Sequence, residues 1–162
     1  MLPHLDAAHN LARWLTGSAQ DAEDVVQDAC LRALTFFDGF RGEDGRAWLL
    51  AITRNTCYDW LRNHRRHAEL LGPLGEVDLA VYGAPDPEAT QLRNADRRMV
   101  QQSLEQLPAE YREVLVLREL EGMSYKQIAR VTDAPIGTVM SRLARARKRL
   151  EIALIAAAGK EK

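Results

Sequence analysis

Apolar side chains recur every three to four positions along almost the whole chain, which is the spacing of one face of a helix. No segment shows the strict alternation of apolar and polar residues that is typical of a half-buried strand. The pattern therefore predicts an all-α protein. We expect helices over about 5–15, 22–37, 46–66, 88–107, 109–120 and 125–131, and a last helix just after the turn at 133–135.

The second and third predicted helices each have a recognisable buried side. In the second helix, Asp21 is the candidate N-cap, and an apolar stripe follows at helical spacing. In the third helix, Trp48, Ile52 and Trp60 are expected to be buried. The stripe predicted for the second helix consists of Val25, Val26, Ala29, Ala33 and Phe36.

The helical pattern fails in the middle of the chain. The stretch GPLGEVDLAVYGAPDP contains three glycines and three prolines and has no helical period, so it is typical of a linker. We therefore expect two small helical bundles, over residues 1–67 and 95–162, that are joined by a flexible linker at 68–94.

The last two predicted helices form a helix-turn-helix. SYKQIARVTDAPIGTVMSRLARARKRL combines a short helix, a tight turn and a longer helix, which is the arrangement of many DNA-binding domains. In the longer helix, the apolar positions predicted to face the bundle are Ile136, Val139, Leu143, Ala146 and Leu150. The opposite face carries Thr138, Ser141, Arg145 and Lys148, with Arg142 and Arg149 on its flank.

Charge is distributed unevenly along a chain whose formal net charge is −1. The downstream basic segment, residues 135–150, has five basic residues and no acidic one. The upstream basic segment, residues 54–67, has four basic residues and one acidic residue, with rings among them. Because local potential governs binding to a polyanion, this pattern predicts two separate contacts with nucleic acid. Cations interleaved with aromatic rings suit a single strand, whereas hydroxyls and arginines on one helix face suit a duplex groove.

An acidic helix face precedes the upstream basic segment. Four acidic residues and no basic one occur in 21–28, so this face is predicted to meet solvent or a basic protein partner. A catalytic carboxylate pair at Asp24 and Asp28 is the alternative, but no histidine, lysine or glycine-rich site accompanies it.

Other candidate chemistry is sparse. His64 and His67 lie at a hydrophilic helix end without companion ligands, so we predict neither a metal site nor a cofactor. Cys30 and Cys57 lie within predicted helices and are expected to be buried, reduced thiols. Since no apolar run approaches the ~20 residues of a membrane span and no signal peptide is apparent, we expect a cytoplasmic protein.

Two motifs in the right order identify a resemblance. DAEDVVQDACLRAL, followed by FRGEDGRAWLLAITRNTCYDWLRNHRR, resembles region 2 of the extracytoplasmic-function (ECF, group 4) sigma factors of bacterial RNA polymerase. LPAEYREVLVLRELEGMSYKQIARVTDAPIGTVMSRLARARKRL resembles their region 4. The resemblance implies a non-enzymatic protein that directs core polymerase to promoters and is controlled by an anti-sigma factor.

The resemblance also implies roles for individual residues. The family contacts the clamp helices of the largest catalytic subunit of the polymerase through positions that correspond to Asp24, Gln27 and Asp28. Unstacked non-template DNA of the minus-10 element would meet Phe40, Ile52 and Asn55 around a flipped base, with Arg54, Tyr58, Arg62 and Arg65 beside them. The minus-35 duplex would meet Thr138, Met140, Ser141, Arg142, Arg145 and Lys148.

One of these positions departs from the family pattern. Met140 stands where relatives often carry Arg or Lys, which predicts an altered promoter preference. The competing hypothesis is a helix-turn-helix regulator that binds duplex DNA without polymerase, but it leaves the acidic helix and the upstream basic segment unexplained.

Overall fold

A computed structural model describes residues 2–40, 44–71 and 91–160, and within these ranges all regular structure is helical. The all-α prediction is therefore confirmed, as are the two helical bundles. Most of the predicted linker, residues 72–90, lies outside the described residues. The helices are α1 (Leu5–Thr16), α2 (Ala19–Thr35), α3 (Gly45–Leu71), α4 (Gln91–Glu105), α5 (Ala109–Leu115), α6 (Tyr125–Thr132) and α7 (Ile136–Lys160).

Helices α1, α2 and α3 pack against one another as the first bundle. Helix α1 ends at Gly17, whose φ of 82° is a left-handed conformation that glycine adopts without strain. Ser18, not Asp21, caps α2: its hydroxyl accepts a hydrogen bond from the backbone N–H of Asp21 at 3.3 Å. The helix therefore starts three residues before the predicted position.

The predicted apolar stripe of α2 is correct at four positions and wrong at the fifth. Val25, Val26, Ala29 and Ala33 are buried, but Phe36 is 62 % exposed. The reason is that α2 ends at Thr35, so Phe36 no longer follows the helical period. In α3, Trp48, Ile52 and Trp60 were expected to be buried; they pack against the core but are only half-buried.

Helices α4 to α7 form the second bundle, and α5 continues into a π-helical turn, Val116–Leu120. Helix α6 begins with a capping box in which Ser124 and Gln127 exchange backbone and side-chain hydrogen bonds. Asp133, at φ 52°, ends α6 and starts the turn into α7. Val139, Leu143 and Ala146 of α7 are buried as predicted, but Ile136, at the exposed first position of the helix, is not.

The two bundles also pack against each other. Helix α3 lies on α6, and α1 lies on α5, so that the buried side chains form one continuous cluster. The sequence did not predict this packing, because apolar periodicity identifies the buried face of a helix but not its partner. Among the described residues, no helix is both long and apolar enough to span a membrane.

Candidate polymerase and nucleic-acid interfaces

The acidic face of α2 is open to solvent. Asp24, Gln27 and Asp28 are exposed on the side of the helix opposite its buried stripe. Asp28 pairs with Arg32 at 3.3 Å, and Arg32 also pairs with Asp59 of α3 at 2.8 Å. These carboxylates lie on an outward surface, which argues against a catalytic acid–base pair, since such a pair needs an enclosed site.

Exposed leucines adjoin this acidic face, and sequence reasoning missed them. Leu31 is 64 % and Leu34 is 60 % exposed on α2. Together with Leu5 and His9 of α1, they line an open cleft of about 540 Å³ that also includes Gln27. Both leucines lie outside the predicted buried stripe of α2, and this position could have indicated that they are exposed. An exposed apolar patch that is rimmed by charged side chains is a candidate site for a protein partner.

Phe40 precedes α3, and Ile52 and Asn55 lie within the first half of that helix. The ring of Phe40 is 4.9 Å, centre to centre, from that of Trp48, and a Cβ atom on Gly45 would lie 3.6 Å from the Phe40 ring. Ile52 follows Trp48 by one helical turn and is half-buried, whereas Asn55 is exposed. Phe40 therefore contacts Trp48, one helical turn before Ile52, and Asn55 follows Ile52 by three residues on the same helix.

Arg54 and Tyr58 are largely covered by the second bundle. The guanidinium of Arg54 donates two hydrogen bonds to the carboxylate of Glu113 on α5, at 2.7 and 3.1 Å. Burial raises the pKa of the Glu113 carboxyl, although the hydrogen bonds and charge of Arg54 act in the opposite direction. Burial alone would lower the pKa of the Arg54 guanidinium. The hydrogen bonds to Glu113 and the negative charge of Glu113 outweigh burial and raise this pKa above its ordinary value.

The remaining residues of the minus-10 set are exposed. Arg62 pairs with Asp59 one turn earlier on α3, while Arg65 extends into solvent. His64 does not belong to a metal site in the described structure: its ring stacks on Trp60 with centres 3.7 Å apart. The free end of this helix can therefore still offer cations to a polyanion.

The outer face of α7 remains accessible over most of its length. Ser141, Arg145 and Lys148 are exposed, and the 53 % exposure of Met140 places an uncharged side chain among them. Thr138 and Arg142 are half-buried. The hydroxyl of Ser141 donates to the carbonyl of Gly137 at 3.0 Å, so its lone pairs are the groups that face outward.

Additional polar contacts between the bundles were not predicted from the sequence. Arg46 of α3 donates to Glu121 at 2.9 Å, and Asn10 of α1 donates to the same carboxylate at 2.8 Å. Gln127 of α6 donates to Asp44 at 2.8 Å. No local pattern predicts such contacts, because each joins residues that are at least 75 positions apart.

Arg112 forms a further bridge that sequence reasoning missed. Its guanidinium donates to the carbonyl of Trp14 at 2.7 Å and to those of Leu104, Glu105 and Leu107 at the turn between α4 and α5. Burial lowers the pKa of this arginine. The side chain therefore ties the end of α1 to the start of α5.

Neither cysteine is part of a disulfide, as expected for reduced thiols. Cys57 is fully buried in α3, and burial, with a smaller contribution from the nearby Glu113, raises the pKa of its thiol to about 12. The thiolate is the reactive form, so Cys57 is chemically protected. Cys30 is half-buried in α2.

Comparison with known families gives two matches in chain order. The model of the sigma-70 region 2 family matches residues 2–67, and that of the sigma-70 region 4 family matches residues 97–150. The sigma-H factor of RNA polymerase from Pseudomonas aeruginosa is 37 % identical over 147 residues, which are 84 % of this chain and 74 % of that protein. The ECF sigma-E factor of Escherichia coli K12 is 35 % identical over 142 residues, which are 81 % of this chain and 72 % of that protein.

Solved structures show the same architecture. The sigma factor RpoE of Bartonella quintana, crystallised with the anti-sigma factor NepR, matches with a TM-score of 0.76 and 32 % identity. That match covers 94 % of this chain and 92 % of the other. CnrH, in complex with the cytosolic domain of CnrY, matches with a TM-score of 0.68 and 27 % identity, covering 96 % of this chain and 84 % of that one.

The paired matches favour a sigma factor over a helix-turn-helix regulator that works without polymerase. Region 4 alone would be compatible with either, but the acidic α2 and the upstream basic segment both fall within the region 2 match. The chain belongs to the sigma-70 family, as one of its extracytoplasmic-function sigma factors of bacterial RNA polymerase.

Proposed function

We propose that the exposed surfaces of the two bundles have separate partners during promoter recognition. The acidic face of α2, with Asp24, Gln27 and Asp28, docks on the clamp helices of core polymerase. Its exposure supports this role, and so do Leu31 and Leu34, which add apolar area next to the carboxylates. This solvent-exposed combination of acid and leucine is the observation that carries the polymerase assignment.

The minus-10 element is assigned to α3 and the segment before it. A flipped base fits against Phe40, Ile52 and Asn55, since these side chains offer a ring before α3 and an aliphatic wall and an amide in the first half of that helix. Arg54, Tyr58, Arg62 and Arg65 supply charge and a further ring for the strand.

The minus-35 element is assigned to the outer face of α7, which a helix-turn-helix presents to the major groove. Arg142 and Arg145 are the candidates for contacts with guanine or phosphate, while Thr138, Ser141 and Lys148 position the helix. Met140 offers only an apolar contact at its position, so we expect a thymine methyl or no base preference there.

Two further properties follow from the family. The two solved relatives are described with an anti-sigma factor and with the cytosolic domain of a partner, respectively, and we infer that this chain too is held by an anti-sigma factor. We also infer that it acts in the cytoplasm and has no catalytic activity of its own, because the polymerase carries out the chemistry.

Run-off transcription tests the function as a whole. Purified core polymerase is incubated with this chain and a library of genomic fragments, and the transcripts identify the promoters that it selects. Promoter-dependent transcripts are expected only when the chain is present, and transcription that is identical without it would overturn the proposal.

The polymerase contact is tested by reversing the charge of α2. Asp24→Lys combined with Asp28→Lys should weaken binding to core polymerase by about tenfold or more, since like charges across an interface cost several kcal/mol. The matched control reverses Asp6 and Asp38, two exposed carboxylates of the same bundle outside this face, and should bind as the parent does. Equal binding by both double variants would refute the assignment of α2.

A further inference from the structure

A buried carboxylate lies at the junction of the two bundles. Glu113 on α5 is 0 % exposed, and its charge is met by Arg54 from α3, whose side chain is only 18 % exposed. The two hydrogen bonds form a parallel fork, which is the strongest geometry that a guanidinium and a carboxylate can adopt. A lone buried carboxylate would be costly, so the second bundle gains a partner for Glu113 by packing on α3.

Tyr58 completes this junction. The guanidinium carbon of Arg54 lies 4.4 Å from the centre of the Tyr58 ring, which fixes the arginine from its other side. The Tyr58 hydroxyl is buried close to both charged groups: burial and the charge of Glu113 raise its pKa, and the charge of Arg54 acts in the opposite direction. We call Arg54, Tyr58 and Glu113 the latch.

The latch uses the groups that nucleic acid would need. Glu113 takes two of the N–H groups of Arg54, a third reaches Asn55 at 3.5 Å, and the side chain is only 18 % exposed, so little of the guanidinium is accessible to a phosphate while the bundles are packed. We propose that the packed bundles are a closed state of the sigma factor, in which Glu113 withholds Arg54 and Tyr58 from the minus-10 strand. This inference rests on the proposed role of α3 in binding that strand.

Glu113 has a second cation available within its own bundle. Arg142 of α7 is half-buried and close enough for its charge to act on the Glu113 carboxyl. When the bundles separate, Arg54 becomes available to phosphate, while Arg142 stays in the same bundle as Glu113 because α7 packs on α5. The carboxylate is therefore not left without a counter-charge, which lowers the cost of opening.

Distance measurements test the closed state. Spin labels are attached at Gln20→Cys on α2 and Glu151→Cys on α7, both exposed positions, in a Cys30→Ser background. Cys57 remains unlabelled because it is buried and its thiol pKa is about 12. The parent should give one narrow population of distances, whereas Glu113→Gln should add a broad population at longer distances.

Two further variants make this measurement decisive. Glu110→Gln removes the same charge from an exposed position of the same helix and should leave the distances unchanged. Glu121→Gln weakens the contacts with Arg46 and Asn10 and should separate the bundles to a smaller extent. This variant tests whether the packed bundles can open if Glu113→Gln fails to fold. Distances that are the same in all folded variants would overturn the latch.

Binding of a short single-stranded oligodeoxynucleotide to the full chain tests the competition. If Glu113 competes with the strand, Glu113→Gln should bind it at least about threefold more tightly, and the oligonucleotide should shift the parent toward long distances. Opening without tighter binding would refute the role of Arg54 in strand binding. Tighter binding without opening would refute the latch while leaving the role of α3 intact.

Discussion

The two basic segments look alike in the sequence but differ in the folded protein. In the upstream segment, Arg54 is bound to the buried Glu113 and Arg62 is paired with Asp59. In the downstream segment, Arg145 and Lys148 extend into solvent. The difference shows that a cluster of basic residues in the sequence gives only the number of cations that a partner could meet. Acidic residues elsewhere in the fold decide how many of those cations remain unpaired and accessible.

The physical reason lies in desolvation. An exposed pair such as Arg147 with Glu119, at 3.1 Å, is screened by water and contributes little to stability. The pair of Arg54 and Glu113 is shielded from water, so neither partner can be removed without leaving the other poorly solvated. In the upstream segment, Arg54, which meets the second bundle, is therefore held in a buried pair, whereas Arg65, further along α3, is exposed.

The largest effect should come from breaking the covered pair. Arg54→Met leaves Glu113 without its main counter-charge and should lower the free energy of unfolding by about 3 kcal/mol. Arg145→Ala, in the open segment, should change it by less than about 0.5 kcal/mol. Urea unfolding followed by circular dichroism measures both, and similar values for the two would abolish the distinction between the segments.

The next effect concerns DNA rather than stability. Arg145→Ala should weaken binding to a cognate minus-35 duplex by about 1–3 kcal/mol if the side chain contacts a base. Fluorescence anisotropy with cognate and scrambled duplexes measures this change. An equal loss on both duplexes would instead make Arg145 a phosphate contact.

A smaller effect should appear in salt dependence. Arg65→Gln removes an exposed cation and should reduce the slope of log affinity against log salt for a single strand by about 0.7. Arg62→Gln should reduce it less, because Asp59 already offsets part of the charge of Arg62. Titrations of an oligodeoxynucleotide at several salt concentrations compare the two, and the reverse order would contradict this interpretation.

The smallest effect should be a pH dependence at the contact of Asp44 with Gln127. The backbone N–H of Ala47 and the amide of Gln127 lower the pKa of Asp44 below its ordinary value. Its contribution to stability is therefore present above that ordinary value, about 3.9, and is lost as the pH falls through the lower folded-state pKa. Because Asp44 is half-exposed, we expect less than about 1 kcal/mol.

Asp44→Asn is the variant that tests this contribution. Unfolding free energies measured from pH 7 to pH 3 should fall less steeply for the variant than for the parent. Asp59, whose pKa is also lowered by its arginine partners, titrates in both proteins and so does not affect the difference. If the unfolding free energies of variant and parent fall in parallel with pH, the contact of Asp44 makes no measurable contribution to stability.

Sequence reasoning predicted local features well and contacts between distant residues poorly. The buried stripe of α2 and that of α7 were largely correct because 3.6-residue periodicity records which face of a helix is apolar. The errors at Phe36 and Ile136 occur at helix ends, where the period no longer applies. Leu31 and Leu34 lie outside the predicted buried stripe of α2, but they were missed because the sequence does not show whether another element covers an apolar side chain.

By itself, the sequence determined the helical class, the helix-turn-helix and the order of the two family motifs, since all of these depend on neighbours within a few turns. It also located the acidic face of α2 and both basic segments. Only the tertiary structure decided that Arg54 and Glu113, 59 positions apart, meet in a buried pair. The reason is physical: helical period specifies which side chains a helix buries, but the packing of one bundle on another decides which charges lose their water and must find a partner.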